Sequence, residues 1–158
     1  MFRDPEGFTL AELLLVLACL GILAAIAVPN WISAGWPAYR LKNAARQVVS
    51  DVRHARARSV ATNRQYRLRF DPSTDLYCLE RGDLPSGSLS WSGEGSARRF
   101  GSNSGSAFSG VRIVGEEEFS VVFRPSGAVT ATSITLENTL GRVKVVCSVA
   151  GRVRMVKI

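Results

Sequence analysis

Residues Phe8 to Val28 read FTLAELLLVLACLGILAAIAV, 21 residues with one charge, Glu12. As a helix this run extends roughly 32 Å at about 1.5 Å per residue, enough to cross a bilayer core of about 30 Å. Trp31, Trp36 and Tyr39 follow, where an interfacial aromatic belt would lie. The positive cluster begins beyond them, at Arg40 and Lys42. A cleaved secretory signal fits poorly. Its basic n-region is missing, since MFRDPEG sets one Arg against Asp4 and Glu6, and Val28-Pro29-Asn30 is a poor cleavage site. A plain single-pass anchor explains everything except Glu12.

A carboxylate inside an apolar helix costs on the order of 2.5–3.5 kcal/mol near the bilayer centre and less near an end. It persists where a cation meets it at the same depth. A cut between Gly7 and Phe8 would create an α-amino group four residues from Glu12, about one helical turn away. That amine can pair with Glu12 of its own chain or of a neighbouring helix. In the second case the pair sets the register of an assembly, a well attested role for buried polar groups.

The string Gly7-Phe8-Thr9-Leu10-Ala11-Glu12, followed by a 16-residue apolar stretch, resembles the class III signal of type IV pilins and type II secretion pseudopilins. The resemblance implies cleavage after Gly7 by prepilin peptidase, N-methylation of Phe8, and guidance of the subunit into a filament by Glu12. Pro29 stands where such proteins often carry a helix-kinking proline. The leader, residues 1–7, departs from the family in being short and net acidic.

Beyond the apolar run (8–28) the period becomes that of an amphipathic helix. Leu41, Ala44, Ala45, Val48, Val49, Val52, Ala55 and Val60 recur at helical spacing. Pro29, Gly35 and Pro37 predict a bent or partly unwound stretch at 29–37, within a kinked helical continuation over 29–62. From residue 63 to 158 the pattern is that of strands: 65–71, 76–81, 111–114, 119–123, 133–137, 142–149 and 152–158. Asp71-Pro72-Ser73-Thr74-Asp75 reads as a hairpin turn. Residues 82–110 hold seven Gly and nine Ser and are expected to be an irregular loop. The fold class is α+β, a long N-terminal helix packed on a C-terminal all-β domain.

This order resembles the GspH/FimT group of the pilin superfamily, which implies a spine helix on two small antiparallel sheets. The matching segments are Arg53–Asn63 (RHARARSVATN), the Phe123-Arg124-Pro125-Ser126-Gly127 turn and Gly151-Arg152-Val153-Arg154.

The sequence argues against an enzyme. One histidine and three cysteines at no ligand spacing disfavour zinc, and no phosphate loop or nucleophile elbow is present. No cofactor or metal is expected. His54, beside Arg53 on the amphipathic helix, reads as a surface residue. Cys19 reads as a small residue of the apolar helix. Cys78 and Cys147 fall in strands of an exported domain, an oxidising setting that permits a disulfide. The expectation favours that bridge over two buried thiols that never meet.

From Ala38 onward there are 19 Lys and Arg against 10 Asp and Glu. Nine of those cations lie between Arg40 and Arg69, with Asp51 the one acid among them. They suit a solvated helix face near anionic headgroups, or acidic faces of other subunits such as Glu116-Glu117-Glu118. Arg152 and Arg154, two residues apart on a strand, project to one face about 7 Å apart and can meet adjacent phosphates. Lys144 or Lys157 could extend that patch. In FimT-like proteins such a GRxR terminus is associated with DNA capture in natural transformation, whereas in GspH-like pseudopilins it can be a structural turn. Two readings stand. The chain is a minor pilin or pseudopilin, a structural subunit of a type IV pilus-like filament, to which FimT-like binding of double-stranded DNA is a further hypothesis, or it is a GspH-like type II secretion pseudopilin that binds no DNA. Either implies other pilin or pseudopilin subunits, prepilin peptidase and the inner membrane as partners, with the C-terminal domain in the periplasm.

Overall fold

A computed structural model describes residues 9–101 and 108–158, without the side chains of residues 24–36. Gly7 and Phe8 lie outside the described residues. The chain divides into two compact units, Met1–Trp36 and Pro37–Ile158.

Helix α1 runs Leu10–Thr62. Thr9 caps it. Its hydroxyl accepts the Glu12 N–H at 3.2 Å, and its carbonyl accepts the Leu13 N–H at 3.2 Å. Thr9 and Glu12 occupy the two side-chain positions of a capping box, the N-cap and the third helical residue. Leu10, Leu13, Leu14, Leu17, Leu20 and Leu23 are all exposed. Among the described residues no helix is long and apolar enough to cross a membrane. Of the bent or partly unwound stretch expected at 29–37, the unwinding is not found, because α1 continues through Pro29 and Pro37. A helix can survive a proline by giving up a single N–H bond and bending locally.

The second unit builds its core on one stripe of α1. Leu41, Ala44, Ala45, Val48, Val49, Val52 and Ala55 are buried, as their spacing predicts. Val60 corrects the series, since it is 53% exposed, while Ser59 beside it is fully buried. Position 59 continues the 52, 55 and 56 stripe at i+7, and position 60 rotates out of it. Ser59 tolerates burial because its Oγ lies 2.8 Å from the carbonyl oxygen of Arg64 and 3.1 Å from that of Phe123.

Nine strands follow: β1 (Tyr66–Asp71), β2 (Leu76–Gly82), β3 (Trp91–Gly93), β4 (Arg98–Arg99), β5 (Arg112–Val114), β6 (Phe119–Phe123), β7 (Thr132–Asn138), β8 (Gly141–Cys147) and β9 (Val153–Lys157). They form two antiparallel sheets. The first has the order β3-β2-β1-β6, with β4 also pairing β2, and the second the order β5-β7-β8-β9. Alternation sends Tyr66, Leu68, Phe70, Val121 and Phe123 inward from the first sheet and Ile134, Leu136, Val145 and Cys147 inward from the second. The β1–β2 turn is set by Asp71, whose carboxylate accepts the Ser73 N–H (2.9 Å) and the hydroxyls of Ser73 and Thr74 (2.6 Å each). Those hydroxyls favour the ionised form and draw the Asp71 pKa down to about 2.

Residues 82–110 are not simply an irregular loop. They contribute β3 and β4 to the edge of β2, and they bury Phe100, 1% exposed and stacked on Tyr77 with ring centroids 5.2 Å apart. The Phe100 N–H donates to the Asp75 carbonyl at 2.8 Å. Arg98 Nε reaches Asp51 at 3.1 Å, and Asp51 also accepts the Tyr77 hydroxyl at 2.6 Å. Burial, then that hydrogen bond, pushes the Tyr77 phenol well above its ordinary range.

The expected disulfide is not formed, and Cys78 and Cys147 are both free. Strand alternation separates them. Tyr77 faces the core, so Cys78 faces outward, 3.6 Å from a Glu80 oxygen and opposite Arg69. Cys147 faces the core of the other sheet, where burial raises its thiol pKa.

Candidate functional site

The three segments singled out in the sequence meet at one side chain, Arg56. From α1 its Nε donates to the carbonyl of Gly127 at 2.9 Å. Its guanidinium also lies against Gly151, where an added Cβ would stand 2.6 Å from Cζ and 2.6 Å from Nε. Gly127 (φ 81°) closes the turn after β6, and Gly151 (φ 75°) closes the turn before β9. Both adopt the left-handed backbone that glycine accepts without strain. The second turn is tight: Gly151 N–H donates to Ser148 O at 2.8 Å, and Ser148 N–H donates to Arg152 O at 2.9 Å.

A groove of about 830 Å³ opens beside this clasp, lined by Arg53, Arg56, Val60, Gly151, Arg152 and Arg154 among others. Arg152 stands one residue before β9, and both arginines are exposed. In register Arg154 lies opposite Val146, and Val156 opposite Lys144. Lys144 and Arg154 are therefore diagonal neighbours on the outer face of the second sheet. Lys157 does not extend that patch. It pairs with Val143 and shares the opposite face with Val153 and Met155.

Several arginines elsewhere are committed to acids within the chain. Arg58 pairs with Glu94, Arg67 with Glu80, Arg69 with Glu80 (3.1 Å) and Glu118 (3.0 Å), and Arg142 with Glu137 (2.9 Å). Arg67 also lies 4.3 Å over the Trp91 ring. Among the described residues no ion pair involves Arg53, Lys144, Arg152 or Arg154. Lys42, Arg46, Arg81, Arg99 and Arg124 are likewise exposed with no ion pair among the described residues, and Lys144, Arg152 and Arg154 form the group of such cations at the β9 end of the second sheet. Such an arrangement can bind a polyanion through its phosphates or carboxylates, and it holds no set of groups for bond making or breaking. His54 is exposed, beside a cavity of about 260 Å³ that Asp51, Tyr77, Glu94 and Arg98 also line. Among the described residues no three His, Cys, Asp or Glu side chains converge on a metal position.

Sequence reasoning missed Arg56, Thr9 and Ser59. Thr9 carried a signal, the T-x-x-E spacing ahead of an apolar run. Arg56 carried none, since it is one arginine among many and its placement depends on two distant glycines.

A helix with two small antiparallel sheets on its C-terminal half, and an N-terminal T-x-x-E start into apolar sequence, defines a pilin-like structural subunit rather than an enzyme. The chain belongs to the GspH family: residues 44–151 match type II transport protein GspH, and residues 3–28 match the prokaryotic N-terminal methylation motif. Two solved structures of the minor pseudopilin EpsH from the type 2 secretion system of Vibrio cholerae share its fold. One is 13% identical with a TM-score of 0.56, over 75% of this chain and 97% of that one. The other is 11% identical with a TM-score of 0.55, over 75% and 94%. The type IV minor pilin FimU of Pseudomonas aeruginosa is 14% identical at a TM-score of 0.46, over 73% and 92%. No curated protein matches by sequence.

Proposed function

We propose that this minor pilin or pseudopilin is cut after Gly7 by prepilin peptidase and methylated at Phe8. It is held at the inner membrane by residues 8–28, with its C-terminal unit in the periplasm. It then joins other pilin or pseudopilin subunits in a type IV pilus-like filament. The observation that carries the reading is the start of α1. Thr9 caps a helix by accepting the Glu12 N–H, and that helix leads into uninterrupted apolar sequence inside the matched methylation motif. Glu12 is left to meet the Phe8 amine of its own chain or of a neighbour, at a depth where an unpaired carboxylate is costly. Two variants test this. Gly7→Val should leave the leader attached, read by intact mass. Glu12→Leu should be processed yet fail to crosslink into filaments, and normal assembly of Glu12→Leu would remove the ion-pair role.

A second reading concerns the β9 end. Arg152 and Arg154 are exposed, Lys144 is half-buried beside them, and none of the three has an ion pair among the described residues, which supports contact with double-stranded DNA, as in a FimT-like subunit of natural transformation. The alternative is a GspH-like secretion pseudopilin that binds no DNA. Duplex binding across a salt series separates them. Binding that weakens with salt, and whose slope is shallower by about two in Arg152→Ala/Arg154→Ala, supports the DNA reading. Equal binding by both proteins, or none by either, leaves the turn structural and favours the secretion role.

A further inference from the structure

We infer that Arg56 is a positioning residue. It fixes the pose of the Gly151–Arg154 turn and so aims Arg152 and Arg154, without itself touching the polyanion. The inference rests on the DNA reading of those two arginines.

The geometry separates Arg56 from its neighbours. Its Nε is spent on the Gly127 carbonyl at 2.9 Å. The rest of the guanidinium fills the space that side chains at Gly127 and Gly151 would need, with the missing Cβ positions 3.2 Å from Nη2 and 2.6 Å from Cζ respectively. One planar group is thus held between turns from the two sheets. A guanidinium is flat and rigid, so it sets the spacing of the surfaces on either side. Lysine carries the same charge but offers neither the plane nor the Nε donor. Arg53 lies one turn earlier on α1, lines the same groove, and is exposed without an ion pair. It is the natural contrast, an arginine of the groove that is not engaged by either turn.

The test uses the full chain in non-ionic detergent with a 30-base-pair duplex. Arg56→Met and Arg56→Lys should each weaken binding about tenfold or more. Their salt slope should become shallower by about two, matching Arg152→Ala/Arg154→Ala. Added to that double variant, Arg56→Met should change nothing further, since the residue acts through the pair it positions. Arg56→Lys that binds like the unaltered protein, with Arg56→Met shallower by about one, would make Arg56 a direct phosphate contact and overturn the inference. A loss of thermal stability with unchanged DNA binding would make its role merely structural and also overturn it.

Amide hydrogen exchange keeps the two readings apart. In Arg56→Lys the Gly151 and Ser148 amides should exchange faster while the Val145 amide does not. If Arg152→Ala/Arg154→Ala leaves DNA binding intact, the DNA reading fails. The exchange result still reports whether Arg56 holds the turn. Unchanged exchange at Gly151 and Ser148 would overturn the positioning role regardless of DNA.

Discussion

The hydroxyl of Ser59 lies 3.1 Å from the carbonyl oxygen of Phe123, joining the last buried turn of α1 to the end of β6. The same oxygen is 2.8 Å from the Arg64 carbonyl, where the chain leaves the helix for β1. One small polar side chain therefore serves three segments at the point where helix and first sheet meet.

Ser59→Ala removes the single hydroxyl proton that the Arg64 and Phe123 carbonyl oxygens share in a water-poor site. Loss of such a buried donor costs about 1–2 kcal/mol. The denaturant midpoint of the Ser59→Ala protein should fall with its slope unchanged. A midpoint equal to that of the unaltered protein would mean that the two carbonyls are satisfied in another way.

Phe100 tests whether the Gly/Ser-rich segment belongs to the core. Its ring is stacked on Tyr77 and meets Phe108 edge-on at 5.6 Å. Truncating a buried Phe costs about 3–5 kcal/mol. Phe100→Ala should lower stability by that order and open the segment to limited proteolysis between Gly82 and Gly101. A peripheral loop would lose almost nothing.

Asp71 gives the fold a pH signature. Its folded pKa is depressed to about 2, so its contribution is complete above the ordinary carboxylate value near 4 and is lost as pH falls through 2. The melting temperature of the native protein should exceed that of Asp71→Asn at pH 6, with the gap closing between pH 4 and pH 2. A gap independent of pH would mean that the hydroxyls of Ser73 and Thr74 do not favour the carboxylate.

The cysteines give a chemical readout. Cys78 is half-buried on an outer sheet face, and Cys147 is buried with its thiol pKa raised. Under native conditions at pH 8 an alkylating reagent should modify Cys78 well before Cys147, because the thiolate is the reactive form. After unfolding without reductant both should react. Protection of both from alkylation after unfolding would reveal a bridge.

Much of the architecture was legible from periodicity. The buried stripe from Leu41 to Ala55 and the alternation in β1 and β6 are local patterns, repeated often enough to outweigh noise. What escaped depended on long-range partners. β3 and β4 lie in a stretch whose Ser and Gly content signals irregularity, yet they pair through backbone groups that composition does not record. Val60 fits the helical period but falls one step outside the covered stripe. The disulfide expectation failed because two strands, each plausibly placed, point their cysteines to opposite sides. At the β9 end the sequence pointed to Arg152, Arg154 and Lys144. It did not reveal Arg56, nor that Lys157 belongs to the other face.

β9 closes one side of the second sheet, and no described strand pairs with its far edge. An open edge invites a strand from another molecule, and proteins blunt it with charge. Arg154 and Lys157 place cations on both faces of β9, with Arg152 just ahead of it. A second copy of the same edge would bring like charges opposite one another and be repelled. Subunits of this kind can therefore be crowded side by side without their sheets merging into fibrils, and neutralising these cations would remove that safeguard.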